Sequence, residues 1–143
     1  MEAPTRRKLK ILEPAILSLI VWGGYRQVVN SQHDLCAARA GTAAHLISQL
    51  DQAAESYQID CGVYPPGNGT GTVELVEALS RSGPKKQKYF EFPADLLREG
   101  SVVNPVRYET GILHYLCPGI HRPSKFDLWA EDCRGNPTGI NNW

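Results

Sequence analysis

The stretch SYQIDCGVYPP, residues 56–66, ends a long helical pattern. Upstream of this stretch, between Leu35 and Ile59, apolar residues recur at steps of three and four, which traces one face of an α-helix. Gly62 stops the pattern, and the two prolines after it prevent the helix from resuming because proline lacks an amide donor and fixes φ. The sequence therefore predicts a long amphipathic helix that ends at Gly62.

The amino-terminal part of the chain combines basic and apolar character. A cluster of Lys and Arg at residues 6–10 precedes the apolar run AILSLIVWGGY, residues 15–25, an order that keeps the front end of a membrane segment in the cytoplasm. The run is shorter than the ~20 residues of a spanning helix, so it is either a signal-peptide core or part of a longer, imperfect membrane helix. Because no small-x-small motif follows it directly, we expect it to be retained as an anchor. Residues 1–33 are then a basic start and an anchor or assembly helix, and residues 34–143 a globular head.

Glu13 lies at the start of this apolar segment, where Pro14 suits the first turn of a helix. Two interpretations remain open for its carboxylate. It is either solvated at the membrane interface beside Lys10, or it is kept to pair with a charged group of a neighbouring subunit, since a carboxylate inside a membrane is costly.

Composition and charge limit the function classes. Fifteen Lys and Arg balance fifteen Asp and Glu, so the chain has no global field for nucleic acid. The lysines of residues 84–88 are expected in a solvated loop, and no nucleic-acid partner is expected. Catalysis is not expected either, because the four histidines are scattered and none stands beside a nucleophile or paired carboxylate in a recognisable motif, at His33, His45, His114 and His121.

The second half of the chain predicts short elements separated by turns. Residues 73–79, VELVEAL, have the spacing of two helical turns. The runs GILHYL, residues 111–116, and FDLWA, residues 126–130, favour an antiparallel hairpin with a long loop. The terminal Trp143 is expected to pack back onto this sheet. The pattern predicts an α+β fold with long Gly/Pro-rich loops.

The four cysteines form no CxxC motif, and the sequence does not choose among their three full pairings. If two are joined, we expect the partners among Cys61, Cys117 and Cys133, because all three fall in the Gly/Pro-rich half. A zinc site at Cys117, His121 and Cys133 is disfavoured because its spacing is irregular and it lacks an obvious fourth ligand.

The order of these parts resembles the pilin superfamily, and within it the major pseudopilins of bacterial type II secretion. The resemblance is carried by SYQIDCGVYPP, by HYLCPGIHRPSKFDLWAEDCRGN at residues 114–136 and by the terminal GINNW. It implies a helical spine that carries an antiparallel sheet of about three strands and polymerises into a filament. Glu13 would then pair with the amino-terminal amine of a neighbouring subunit and set the axial register.

The same resemblance implies partners and a location. The chain would associate with itself, with other pseudopilins and with inner-membrane secretion components, as a single-pass protein whose head lies in the periplasm. A subunit of a surface or DNA-uptake pilus, with the loop at residues 84–88 touching DNA, and a tethered head that does not polymerise are the alternatives.

Metal binding is the remaining expectation from the resemblance. Major pseudopilins hold a structural calcium in the C-terminal loop, but here Arg134 and Gly139 stand where aspartates are expected. Oxygen ligands for a hard cation could be rebuilt from Glu131, Asp132 and Asn136. Alternatively, a disulfide at Cys133 would staple the same loop. No cofactor is required by the proposed class, and calcium stays a possible structural ion.

Overall fold

The computed structural model describes the backbone of residues 6–143 and the side chains of residues 24–29 and 31–143. The chain divides into two compact units, residues 1–36 and 37–143. Helix α1 spans Arg6–Cys61. Among the described residues, no helix combines the length and the apolar character needed to cross a membrane.

The end of α1 confirms the expectation from the sequence. The helix ends at Cys61, and Gly62 follows with a φ of 80°, a backbone conformation that glycine adopts without a steric cost. The Gly62 amide donates to the carbonyl oxygen of Gln58 at 2.7 Å, which satisfies one of the last carbonyls of the helix. Gly62 therefore acts as the C-terminal cap of α1.

The predicted short helix is also present, as α2 over Val73–Leu79. Its Leu75, Val76, Ala78 and Leu79 are buried, which matches the spacing that predicted it. Two single 3₁₀ turns follow, at Ala94–Leu96 and Pro105–Arg107.

The main sheet has four antiparallel strands, and not about three: β1 (Gly67–Asn68), β4 (His114–Cys117), β5 (Asp127–Ala130) and β6 (Ile140–Asn141). Their order in the sheet is β1-β4-β5-β6. The predicted hairpin is the β4–β5 pair, with Tyr115 opposite Leu128. A separate two-stranded sheet pairs β2 (Leu97–Arg98) with β3 (Ser101–Val102).

The core of residues 37–143 lies between one face of α1 and one face of the main sheet. Along β5, Leu128 and Ala130 are fully buried in this core, whereas Trp129 between them lies on the outer face. Helix α1 contributes Ala43, Leu46, Ile47, Leu50, Ala53 and Ala54. The fold class is therefore α+β, with a long helix on a small antiparallel sheet.

Close packing at the sheet edge explains one glycine. A Cβ at Gly67 would lie 2.2 Å from the ring of Tyr115, so no larger residue fits there. The Tyr115 ring is fully buried, and its hydroxyl donates to the carbonyl oxygen of Pro65 at 2.8 Å. This hydrogen bond ties the YPP segment after α1 to the centre of the sheet.

Candidate functional site

An exposed apolar stripe lies on the part of α1 that precedes residue 37 in the sequence. Tyr25, Val28, Val29 and Leu35 are 70 %, 58 %, 40 % and 53 % exposed. At 3.6 residues per turn, these four positions fall within about a third of the helix circumference. Large apolar side chains concentrated on one side of an exposed helix are typical of an interaction surface. We refer to these four residues as the apolar stripe. The side chain of Glu13, the residue expected to set register, lies outside the described residues.

The head is closed by a clamp between α1 and the last residues of the chain. Asp51 on α1 accepts a hydrogen bond at its Oδ1 from the guanidinium of Arg122 at 2.9 Å and from the amide of Asn142 at 2.7 Å. Arg122 also donates to the backbone oxygen of Asn142 at 3.1 Å. Three segments far apart in sequence are therefore joined at one carboxylate. We call Asp51, Arg122 and Asn142 the clamp.

One turn further along α1, a second contact holds the same loop. The Lys125 ammonium lies 2.6 Å from Glu55 Oε1, and the Tyr64 hydroxyl donates to Glu55 Oε2 at 2.8 Å. The hydrogen bond from Lys125 lowers the pKa of Glu55 against the opposing effect of burial. Burial and the hydrogen bond to Glu55 raise the pKa of Tyr64 to about 12, so its hydroxyl stays a donor at neutral pH.

The loop between β4 and β5 is shaped by a buried aspartate. The Asp127 side chain is 2 % exposed, and its carboxylate accepts hydrogen bonds from the backbone amides of Ile120, His121 and Arg122 at 2.7, 2.9 and 3.1 Å. Burial raises the pKa of Asp127, but the bonds from the His121 amide and ring and from the other two amides outweigh it, so that the pKa lies below its usual range. The charged Asp127 carboxylate thus fixes the backbone at Arg122, whose guanidinium donates to Asp51 in the clamp.

A row of stacked rings covers the outer face of the sheet. The His121 and Trp143 rings are parallel within 4° at 4.1 Å, and Trp143 meets Trp129 edge to face at 6.1 Å. His114 stacks on the other side of the row, 5.5 Å from Trp129. The expectation that Trp143 packs back onto the sheet is confirmed. These contacts hold the end of the chain against the β4–β5 loop.

The side chains of the three residues considered for calcium each accept hydrogen bonds from other groups of the chain. Glu131 Oε1 accepts from Arg107 at 2.8 Å, and Asp132 Oδ1 accepts from the amides of Arg134 and Asn136 at 2.8 and 3.0 Å. The side chain of Asn136 accepts from the amide of Thr138 at 3.3 Å.

This donor set does not fit calcium, which needs six to eight oxygens free to face it. A Cβ at Gly139 would lie 2.3 Å from Asp132 Oδ2, so the loop closes in a way that leaves no space for an aspartate there. Among the residues that the structure describes, no group of three or more His, Cys, Asp and Glu could hold a metal ion. The C-terminal loop is therefore organised by its own amides around Asp132.

The cysteines correct part of the expectation. Cys133 is disulfide-bonded, and so is Cys36, whereas Cys61 and Cys117 carry free thiols. Two of the three expected partners therefore form no bridge. The expectation rested on the Gly/Pro-rich half of the chain, and Cys36 lies outside that half, on α1. The disulfide at Cys133 also removes a ligand from the zinc site considered with Cys117 and His121.

Sequence reasoning missed the clamp and the capping role of Asp127. Arg122 is 71 residues from Asp51, and Asn142 is 91 residues from it, so no local pattern marks the contact. The terminal GINNW segment, which carries part of the resemblance, is the local signal closest to this contact because it contains Asn142. Comparison of the chain with protein-family models, with curated proteins and with solved structures gives no significant match.

Proposed function

We propose that the chain is a structural subunit of a type II secretion pseudopilus, which polymerises through its N-terminal helix and drives protein export across the outer membrane. The observation that carries the proposal is the apolar stripe on α1. Further along the same helix, the residues from Ala43 to Ala54 bury their apolar face within the head. The later part of the helix therefore contributes to the core of the head, and the earlier part carries an exposed apolar surface.

Assembly follows from the kind of contact that such a surface makes. A helical stripe on one subunit and a different surface on the next form a heterologous contact, which repeats into a helical filament when the rotation does not close. Burying Tyr25, Val28, Val29 and Leu35 against neighbours would stabilise the contact by roughly 25 cal/mol per Å² of apolar surface. Addition of subunits at the membrane end would lengthen the filament and push a substrate outward.

The proposed location is the bacterial inner membrane, with the N-terminal helix as a single-pass anchor and the head in the periplasm. Disulfides persist in the periplasm, and the disulfide-bonded state of Cys36 and Cys133 suits that compartment. The proposed partners are further copies of the chain, other pseudopilins and inner-membrane components of the secretion machine. Glu13 is proposed to pair with the amino-terminal amine of a neighbouring subunit.

The experiment compares charge insertion on the stripe with charge insertion beside it. Val28→Glu and Leu35→Glu place a carboxylate on the stripe, and Gln27→Glu and His33→Glu serve as matched controls at exposed polar positions outside its arc. Electron microscopy of membrane fractions should show filaments from the wild type and the controls and none from the stripe variants. Near-UV circular dichroism of all five proteins checks that the head stays folded. Filaments from both stripe variants would contradict the proposal.

A further inference from the structure

The segment after α2 is a tight basic hairpin, residues 81–88, which lies outside the assembly helix. Ser82 and Lys88 face each other in an antiparallel bridge, and the Gly83 amide donates to the carbonyl oxygen of Gln87 at 2.9 Å. The amide of Lys86 donates back to the carbonyl oxygen of Gly83, also at 2.9 Å. These three contacts give the hairpin a defined shape, so its side chains project from fixed backbone positions.

The hairpin is fastened to the last turns of α1. The hydroxyl of Tyr89 donates to Asp60 Oδ2 at 2.9 Å, and its ring meets that of Tyr57 edge to face at 5.3 Å. A Cβ at Gly83 would lie 2.7 Å from the Tyr89 hydroxyl, so glycine is required for this close approach. Desolvation and the neighbouring Asp60 and Cys61 raise the pKa of Tyr89, so the hydroxyl remains a donor to Asp60.

The basic hairpin carries four cationic side chains. All of them are exposed and, within residues 24–29 and 31–143, none makes an ion pair: Arg81, Lys85, Lys86 and Lys88. Elsewhere in the head, Arg107, Arg122 and Lys125 are each paired with a carboxylate, whereas the exposed Arg39 and Arg134 each have no cationic neighbour in the sequence. Because the chain as a whole has no net charge, this local excess is a patch and not a general property of the surface.

A cavity of about 370 Å³ opens between the hairpin and α1. Lys85 and Lys88 line one side, and Ile59 of α1, which is 78 % exposed, lines another. The carboxylate of Asp60 lies in the same cavity and is held by Tyr89. The cavity thus offers two ammonium groups next to an apolar side chain, with one carboxylate close by.

We propose that the basic hairpin and its cavity bind an acidic polypeptide segment, with its carboxylates on Lys85 and Lys88 and one of its apolar side chains against Ile59. Charge complementarity across such a contact sets specificity and the rate of association. The proposal does not depend on filament assembly, because the site lies entirely within the head. It gives the subunit a means to bind a partner that carries such an acidic segment.

A polypeptide fits this site better than a phosphate chain does. Nucleic-acid affinity grows with the number of phosphates neutralised, and one short hairpin with four cations covers few of them. A phosphate would leave Ile59 exposed to water, because it has no apolar group to cover that side chain. A peptide that carries glutamate and leucine satisfies both the lysines and the apolar wall.

The test measures binding of a fluorescent peptide of alternating Glu and Leu to the full chain, by anisotropy at low and physiological salt. Lys85→Gln combined with Lys88→Gln should weaken binding roughly tenfold and reduce its salt dependence. Ile59→Ser should weaken it several-fold at both salt concentrations, since it removes apolar contact without changing charge. Arg39→Gln combined with Arg134→Gln is the matched control, because both arginines are exposed and lie outside the cavity. The control should bind like the wild type.

Three results would overturn the proposal. The first is no measurable binding of the peptide to the wild-type chain. The second is an equal loss in the hairpin variant and in the control, which would indicate only a general charge effect. The third is tighter binding of an oligothymidylate of the same length, with no effect of Ile59→Ser, which would assign the hairpin to polyanions. Near-UV circular dichroism of each variant confirms that the loss is not due to unfolding.

Discussion

The side chain of Asn142 donates a hydrogen bond to Asp51 across 91 residues of sequence, at 2.7 Å. Because Arg122 donates to the same carboxylate oxygen, the C-terminal segment, the β4–β5 loop and α1 meet at one point. Polar contacts at the surface of the head therefore stabilise its fold in addition to the apolar core. The stability of the head should respond strongly to changes at this single point.

We expect Asp51→Ala to lower the free energy of unfolding by about 1–3 kcal/mol. The substitution leaves the partly buried Arg122 guanidinium and the Asn142 amide without their shared acceptor, and an unsatisfied polar group costs that much. Gln52→Ala, at an exposed position next to it on the helix, is the matched control and should change stability little. Urea unfolding measures both. Equal effects of the two substitutions would show that the clamp contributes nothing.

The pKa values of Asp127 and Glu55, both lowered in the folded head, predict acid sensitivity. A carboxyl whose folded-state pKa lies below its unfolded value stabilises the fold fully above the unfolded pKa, and the stabilisation is lost as pH falls through the folded pKa. The reference values are 3.8 for Asp127 and 4.5 for Glu55, so the loss should begin below about pH 4.5 and continue as the pH falls further.

Asp127→Asn tests the contribution of Asp127 to this acid sensitivity. The amide nitrogen of asparagine cannot accept a backbone hydrogen bond, so the variant should be less stable at pH 7 and should lose less stability between pH 5 and pH 3. Urea unfolding at several pH values gives both quantities. A variant whose stability falls as steeply as that of the wild type would mean that Asp127 is not a source of the acid sensitivity.

Reductant and chelator should affect thermal stability differently. Cys133 is disulfide-bonded, and the loop that contains Asp132 is organised by backbone amides, so reduction should lower Tm and a calcium chelator should not. Cys133→Ser should reproduce the effect of reduction. Cys61→Ser, at a free and exposed thiol, is the control and should leave Tm unchanged. A fall in Tm with chelator alone would restore the calcium interpretation.

The stacked rings predict a spectroscopic change. His121→Ala removes the ring that lies parallel to Trp143, so the near-UV circular dichroism of tryptophan should weaken and stability should fall by about 0.5–1.5 kcal/mol. His33→Ala, at an exposed position on α1, is the control. An unchanged tryptophan signal in His121→Ala would show that the end of the chain is not held by this contact.

Local sequence patterns predicted the elements whose signals are local. Gly62 and the prolines after it mark the end of α1, the spacing of Val73–Leu79 marks α2, and two aliphatic runs mark the β4–β5 hairpin. Strands β1 and β6 have two residues each, and so short a strand carries no alternation that a pattern could reveal. The sheet therefore has four strands where about three were expected.

The contacts that organise the surface were beyond such patterns. The clamp and the capping role of Asp127 depend on which loops meet in space, and the sequence does not encode that in any short segment. The disulfide state of Cys36 was missed for the same reason. Composition favoured the Gly/Pro-rich half of the chain, although one bridged cysteine lies on the helix.

The proposed register role of Glu13 has its own test. Glu13→Ala should leave the head folded and abolish filaments, because the carboxylate proposed to pair with the neighbouring amine is lost. Glu13→Gln keeps the size without the charge and should fail in the same way. Filaments of normal appearance from both variants would show that Glu13 does not set the register between subunits, although the apolar stripe could still mediate assembly.

Polymerisation through the N-terminal helix is tested most directly on the native protein recovered from membranes. If the resemblance to pseudopilins extends to processing of the chain, mass spectrometry should find a trimmed, N-methylated start, and electron microscopy of the same fraction should find thin filaments that contain the chain. An intact Met1 on a chain that remains monomeric would contradict the claim, and it would mean a membrane-tethered head that does not assemble.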